Sequence, residues 1–286
     1  MPLPLYQVDA FTDRAFAGNP AAVCLLPAAR EPAFLQAVAR EMNLAETAFL
    51  VRRAADAADA SAGWDLRWFT PTVEVQLCGH ATLASAHILW QTGALAASET
   101  ARFHTLSGVL TAERRGDWIV LDFPAEPPVE ETDAPPVLTA ALGLPPGSPP
   151  LFIGRNRFDY LVQLPSAAAV AALAPDFRAL ATLPVRGVIA TAAADSPPFD
   201  FVSRFFAPAA GVDEDPVTGS AHCCSGPFWC DRLGKDTLLA RQISARGGIV
   251  RVGFRGVRGE HGERGERVEL GGQAVTVLQG ELLDPY

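Results

Sequence analysis

One segment of this chain is written twice. Arg67-Trp68-Phe69-Thr70-Pro71 returns as Arg204-Phe205-Phe206-Ala207-Pro208. Each copy then runs through a valine (Val75, Val212) to a glycine, a short polar residue and an alanine. These are Gly79-His80-Ala81 and Gly219-Ser220-Ala221, with Ser85 and Ser225 in step behind them. The copies stand close to half of the 286-residue chain apart, and the second is longer by three residues. A repeat at that spacing predicts two similar halves facing each other.

Each copy holds the ingredients of one local structure. A residue before proline is kept out of helix, so the Arg-aromatic-Phe-x-Pro segment is extended. The glycine then lets backbone approach a ligand closely, and the Ala-rich sequence behind it opens a helix whose free N–H groups attract an anion. Two such helix starts meeting at a pseudo-twofold axis would hold a small carboxylate between them. Arg67, Phe69, Arg204 and Phe206 read as packing residues of a duplicated fold, whereas the Gly-polar-Ala turns read as functional.

Composition excludes several chemistries. The net charge is -9 and there is no Lys/Arg run to neutralise phosphates, which argues against a nucleic-acid partner. The Arg-rich stretch Arg246 to Arg267 is interleaved with glutamates and reads as a solvated hairpin or loop. The only lysine, Lys235, sits in the turn-like Leu233-Gly234-Lys235-Asp236, a poor place for a pyridoxal phosphate Schiff base. His80, His87, His104, His222 and His261 lack the spacing of histidine metal motifs. Cys223-Cys224 with Cys230 has no second ligand pair at zinc-site distance, so no metal is expected. There is neither a G-x-S-x-G elbow nor a Gly-rich phosphate loop followed by Lys. Five irregularly spaced cysteines fit a reducing cytoplasm better than a disulfide framework. The N-terminus has no basic region or long apolar core, so no signal peptide is expected, and apolar runs elsewhere are broken before membrane-spanning length.

Along the chain, Leu5 to Ala10 and Ala21 to Leu26 read as strands around a turn at Gly18-Asn19-Pro20. Phe34, Leu35, Val38 and Met42 give Pro32 to Met42 helical periodicity, and Glu46 stands at the mouth of the strand that follows. Asp56 to Ala62 reads as a surface linker. Strand Asp65 to Thr70 then leads to the first repeated turn, and Ala81 to Thr92 is a helix with so little charge that it should be buried. Single strands at Phe103 to Leu110 and Trp118 to Phe123 close the first half, and the Pro/Glu-rich run Ala125 to Pro136 is the domain boundary. The second half repeats the programme, with strands leading to the second turn and the weakly charged helix Ala221 to Leu233. Strands follow at Gly248 to Phe254 and Arg267 to Leu270, and Gly271-Gly272 is read as a tight hairpin into Ala274 to Gly280.

The strings YQVDAFTDRAFAGNPAAVCLL, NLAETAFL, RWFTPTVEVQLCGHATLASAH, RFFAPAAGVDEDPVTGSAH and SARGGIVRV resemble the phenazine-biosynthesis (PhzF-like) isomerase family, which shares its fold with diaminopimelate epimerase. The resemblance spans nearly the whole chain. It implies an α+β fold of two pseudo-symmetric half-barrels, each a curved sheet around a central helix, with the active site in the cleft between them. The expected halves are residues 1–124, with a C-terminal strand near 277–286 returning to them, and residues 125–276. A cytoplasmic homodimer is expected, and the resemblance also implies a cofactor-free isomerase that moves a proton on a small carboxylate.

On that resemblance the catalytic residues are Glu46, His80 and Asp215, and the substrate-binding residues are Asn19, Gly79, Gly219 and Ser220. The residue types suit the chemistry. Removing a proton beside a carboxylate needs a base raised toward neutrality, which burial of a glutamate can supply, and donors for the developing oxyanion. On the residues alone, each has a plain alternative. Glu46 supports a turn, His80 is a hydrogen-bonded structural residue, Asp215 belongs to a solvated charge cluster with Asp213 and Glu214, and Ser220 is a helix N-cap. Cys78 adds another. In the epimerase branch two cysteines act as facing thiol bases, and Cys78 stands before Gly79 where the first would be. Its partner is missing, because Pro216-Val217 precede Thr218-Gly219 and Asp215 falls opposite Cys78 under the first repeat offset. A two-thiol racemase and a non-catalytic binding or interaction protein of the same fold remain the alternatives.

Overall fold

Strands outnumber helices along the chain, and the few helices fall where the apolar period lengthens from two to 3.6. The computed structural model describes residues 2–54, 63–145, 147–255 and 267–283. The first elements are β1 (Leu3–Ala10), β2 (Asn19–Leu26), α1 (Pro32–Met42), β3 (Glu46–Arg52), β4 (Trp64–Phe69), β5 (Glu74–Val75), α2 (Gly79–Gln91), β6 (Ala101–Thr105), β7 (Gly108–Arg115) and β8 (Trp118–Pro124). Next come β9 (Val129–Glu130), α3 (Pro136–Ala141), β10 (Phe152–Arg155), β11 (Asp159–Gln163), α4 (Ala167–Ala171), α5 (Phe177–Leu180), β12 (Gly187–Ala193) and β13 (Phe201–Phe206). The last are α6 (Gly219–Leu233), β14 (Thr237–Gln242), β15 (Gly248–Arg255), β16 (Arg267–Gly272) and β17 (Ala274–Leu282). The chain divides into one unit of Met1–Asp122 with Gly271–Tyr286 and another of Phe123–Leu270.

The duplication is visible in the strand pairing of each unit. In the first, β17 pairs with β1 and β1 with β2, both antiparallel. Then β2–β3 is parallel, β3–β4 antiparallel, β4–β6 parallel and β6–β7 antiparallel. In the second unit β9–β10 and β10–β11 are antiparallel, β11–β12 parallel, β12–β13 antiparallel, β13–β14 parallel and β14–β15 antiparallel. The order of senses is the same. A parallel pair needs a crossover, and in both units the second crossover is the weakly charged helix, α2 or α6.

Each of these helices is buried along most of its length. α2 packs on β1, β2, β3, β7 and β17 of its unit, and α6 on β11, β12, β14 and β15 of its own. A helix wrapped by sheet has no solvent side for charge, which is why neither sequence is amphipathic. The other face of each sheet carries shorter helices. Leu35, Val38 and Ala39 of α1 pack with Leu3, Ala22, Cys24 and Phe49, while Leu138, Val170 and Leu180 of α3, α4 and α5 pack with Val162, Val188 and Val202. Fully burying a Leu or Val side chain stabilises by about 1.5–3 kcal/mol, so these layers hold the sheets in place.

The repeated Arg-aromatic-Phe-x-Pro segments are packing devices. Arg67 makes a two-pronged bond to Glu74 at 2.7 and 2.8 Å, with its guanidinium 5.1 Å from the Phe69 ring centre. Arg204 does the same with Glu214 at 2.7 and 2.9 Å, 4.8 Å from the Phe206 ring centre. The acidic partner follows seven residues after the first arginine and ten after the second, so the three extra residues lie between Arg204 and Glu214, where Pro208–Ala210 adds a 3-10 turn. From Glu74 and Glu214 onward the copies are in register. Cys78 therefore corresponds to Thr218, which corrects its match to Asp215, and each is the N-cap of its helix. Ser85 and Ser225 each donate to the carbonyl four residues back, at 2.7 and 2.9 Å, and are internal to their helices.

Three local readings change. The stretch Phe103 to Leu110 is a hairpin, β6 to β7, because Thr105 Oγ1 accepts from the Ser107 N–H and donates to the Gly108 carbonyl, with Gly108 at φ +98°. Gly271 and Gly272 are the end of β16, not a turn. Glycine is required there by close approach, since a Cβ on Gly272 would meet Phe11 at 2.5 Å and Leu83 at 2.7 Å. β14 went unread because Thr237-Leu238-Leu239-Ala240 shows no alternation. The linker Asp56 to Ala62 lies outside the described residues. So does 256–266 of the Arg-rich stretch, whose described remainder is largely strand rather than loop, in β15 and the start of β16.

Candidate active site

Three backbone elements of the first unit converge on one imidazole. The parallel register of β2 and β3 sets Glu46, the first residue of β3, beside Ala21, two residues beyond Asn19, the first residue of β2. α2 packs on both strands, and its first turn presents Cys78 and His80. His80 Nε2 lies 3.2 Å from Glu46 Oε2. On the other edge of the ring, Nδ1 lies 3.3 Å from the Asn19 side-chain nitrogen and 3.5 Å from Cys78 Sγ. Of the residues singled out from sequence, Asn19, Glu46, Gly79 and His80 are thus brought together, with Cys78 beside them.

Burial sets the electrostatics. Asn19, Cys78 and His80 are buried, while the Glu46 side chain is 19% exposed and is the group open to a reactant. Desolvation alone would lower the His80 pKa, but the charges available to Cys78 and Glu46 outweigh it and hold the imidazole well above its ordinary value. Desolvation and the nearby Glu46 push the Cys78 thiol up, against a smaller opposing pull from His80. Cys78 is therefore a neutral thiol at neutral pH, which leaves the Glu46 carboxylate as the charge that favours a protonated His80 ring. Asn19 suits either state of the ring, since an amide can turn its NH2 to a bare Nδ1 or its oxygen to a protonated one.

No side chain caps α2, and no acidic residue stands in its first turn. Its leading N–H groups, at Gly79 and His80, are left with the partial positive charge of a helix start, which favours an anion. Thr82 Oγ1 and Ser85 Oγ bond to helix carbonyls at 2.6 and 2.7 Å and do not compete for those donors.

The second unit places Asp215, Gly219 and Ser220 at the start of α6. Thr218 Oγ1 donates to the Asp215 carboxylate. Gln242, fully buried, accepts from the Thr218 N–H at 2.9 Å and donates to the Asp215 carbonyl at 2.7 Å, which fixes the loop ahead of the helix. Ser220 Oγ accepts from Arg186 Nη2 at 3.0 Å. Arg186 in turn forks onto the fully buried Asp159 and lies over the rings of Phe158 and Phe205. Burial raises the Asp159 pKa, and Arg186 opposes it. Because Ser220 Oγ already accepts from a cation, its own proton is free to be donated elsewhere. Arg186, Asp159 and Gln242 were not singled out from sequence, and nothing in their spacing marks them.

Other chemistries find less support. Glu46, Cys78 and His80 offer ligand atoms all within 4.8 Å of one another, a grouping that motif spacing along the chain could not reveal and that changes the expectation of no metal constellation. All five cysteines are buried and none is in a disulfide. Lys235 is paired with Asp200 on the surface. A pocket of about 480 Å³ lies elsewhere in the first unit, lined by Leu26, Phe49, Arg53, Asp65 and Arg67. Its Arg53 and Arg67 are already paired with Asp65 and Glu74. Among the described residues no helix is long and apolar enough to cross a membrane.

Comparison with known proteins places these features in a family. The profile described as phenazine biosynthesis-like protein, PhzC-PhzF, matches residues 8–280. An uncharacterized isomerase of Halalkalibacterium halodurans is 51% identical over 283 residues, covering 99% of each chain. A crystal structure of a phenazine biosynthesis protein of the PhzF family from Enterococcus faecalis is 40% identical, with a TM-score of 0.87 over 99% of this chain and 100% of that one. A hydroxyproline epimerase from Agrobacterium vitis, at 14% identity and a TM-score of 0.60 over 99% of this chain and 94% of that one, shares the fold alone.

Proposed function

The chain belongs to the PhzC-PhzF family of phenazine biosynthesis-like proteins, and on that premise we propose that it is a cofactor-independent isomerase that moves a proton on a small carboxylate, with Glu46 as its general acid/base. The observation that carries the reading is the 3.2 Å approach of the accessible Glu46 carboxylate to the buried His80 ring at an uncapped helix start. Glu46 takes the proton from the carbon beside the substrate carboxylate, and the electron pair left behind spreads onto the carboxylate oxygens. N–H groups of Gly79 and His80 stabilise that charge as it forms; one such donor is worth about 3–4 kcal/mol in other enzymes. The proton returns from Glu46 to the same carbon or to a conjugated one, and His80, held by Asn19, keeps the carboxylate oriented and shares the proton while it is stored. In the second unit we assign Gly219 and Ser220 to the substrate carboxylate and Asp215 to a second proton-carrying role.

A second reading makes Cys78 a thiol base of the racemase kind. Its sulfur touches the His80 ring, which favours it. Its counterpart in the repeat is Thr218, which cannot serve as a thiol, and its raised pKa keeps it protonated at neutral pH. One experiment separates the readings: deuterium wash-in from solvent into candidate small carboxylates by the wild type, Glu46→Gln and Cys78→Ser. Glu46→Gln should still bind substrate but lose exchange by about two to four orders of magnitude, and Cys78→Ser should retain most of it. Wild-type exchange in Glu46→Gln would remove Glu46 from the mechanism; its loss in a folded Cys78→Ser would move the thiol to first place.

A further inference from the structure

The site in the first unit combines a thiol, an imidazole and a carboxylate, and this mixture is unusual for a pure proton shuttle. Their ligand atoms all lie within 4.8 Å of one another, and His80 Nε2 stands 3.2 Å from Glu46 Oε2. Cys78 Sγ stands 3.5 Å from His80 Nδ1. Tetrahedral zinc, with bonds of about 2.0–2.3 Å, spaces nitrogen and oxygen ligands roughly 3.3 Å apart and sulfur and nitrogen ligands roughly 3.6 Å apart. The separation of Cys78 Sγ from His80 Nδ1 is close to such an edge.

We propose that Glu46, Cys78 and His80 form a binding site for a thiophilic divalent cation of the zinc class, and that occupancy reversibly shuts the proton-transfer site. The shutting rests on the isomerase reading above; the binding does not. The thiol and carboxylate lie toward opposite edges of the ring, so a single ion cannot take all three donors without movement. Glu46, the first residue of β3 and the most exposed of the three, is the group that swings toward the ion held by Cys78 and His80. As the ion binds, the thiol proton and one proton of the charged His80 ring leave to solvent, freeing sulfur and Nδ1 for the metal, and thiolate and carboxylate together balance the charge of the dication. Sulfur and imidazole donors select zinc, cadmium or cobalt over the oxygen-seeking magnesium and calcium. The bound ion occupies the lone pairs of Glu46 through which the proton would pass, so it inhibits and is not required for turnover.

The test uses the intact protein in a thiol-free reductant, titrated with Zn²⁺ alone and with Co²⁺ alone. Calorimetry should give one tight zinc site per chain, weakened at least tenfold in Cys78→Ser and in Glu46→Gln and unchanged in Cys230→Ser. Cobalt should produce a thiolate-to-metal charge-transfer band that Cys78→Ser removes, and millimolar Mg²⁺ should produce neither signal. The wild-type cobalt spectrum stands independently of any variant that fails to fold. Zinc should abolish substrate deuterium exchange, and a chelator should restore it. Zinc binding that survives both substitutions in folded protein, or a cobalt complex without a thiolate band, overturns the proposal. Zinc binding as described in a protein that exchanges no substrate proton upholds the metal site and counts against the isomerase reading. Exchange that zinc leaves untouched does the reverse.

Discussion

Acid should unlock the first turn of α6 through His222. This residue is fully buried two positions after Ser220; its Nδ1–H donates to the Thr218 carbonyl at 2.8 Å, and its Nε2 has no hydrogen-bond partner. A proton added at Nε2 would have nowhere to bond, so burial pushes the pKa from 6.5 down to about 4. Above pH 6.5 folded and unfolded chains both hold the neutral ring, and the stabilisation is complete. Between 6.5 and about 4 only the unfolded chain takes the proton, so stability falls as pH falls, by about 1.4 kcal/mol per unit and roughly 3 kcal/mol in all. Amide exchange in peptides spanning Gly219–Leu233 reads this directly. From pH 6.5 to 5 the wild-type opening free energy should drop by about 1.6 kcal/mol, roughly fifteenfold in protection after correction for intrinsic rates. His222→Gln, whose amide can keep the bond to Thr218 but does not titrate, should lack that component. Parallel pH profiles for the two proteins would refute the reasoning.

Two further outcomes follow from the packing. Arg186→Met leaves the buried Asp159 carboxylate without its cation and should destabilise the second unit by about 3–5 kcal/mol; the double variant Arg186→Met/Asp159→Leu should recover most of that in denaturant unfolding. Gly272→Ala forces a methyl into the space of Phe11 and Leu83 and should cost about 1–3 kcal/mol, read as a lowered unfolding midpoint with substrate exchange intact below it.

The strength of the sequence lay in its periodicities. α1 was legible to the residue because Phe34, Leu35, Val38 and Met42 mark one face, and α2 and α6 were legible because uncharged helices must be enclosed. The hairpin at Leu106-Ser107 was missed because its apolar flanks read through as one strand, and Gly272 was misread because a glycine pair signals a turn as readily as it signals crowding. The imidazole cluster was partly legible: Asn19, Glu46 and His80 fall on recognisable strings, but that His80 touches Asn19 on one edge and Glu46 on the other depends on the register of β2 against β3, which no local pattern encodes. Arg186, Asp159 and Gln242 stayed hidden for the same reason. Their roles arise from contacts across 24 to 34 residues of chain.

The duplicated turns show how one scaffold can specialise. Register from Glu74 and Glu214 onward aligns Cys78-Gly79-His80 with Thr218-Gly219-Ser220, so both helices begin with the same backbone and differ in what the side chains can do. At the cap, thiol has become hydroxyl; at the second helical position, a titrating ring has become a fixed donor. The interactions follow the change. His80 is held by groups that can gain or lose a proton, Glu46 and Cys78, whereas Ser220 is held by a guanidinium that cannot, backed by a carboxylate sealed from water. At the next shared position Thr82 and His222 both bond back to the cap carbonyl, at 2.6 and 2.8 Å, so the helix geometry is conserved while the chemistry diverges. The first copy has a donor set that can change charge and the second has one that cannot, on the same helix-start backbone.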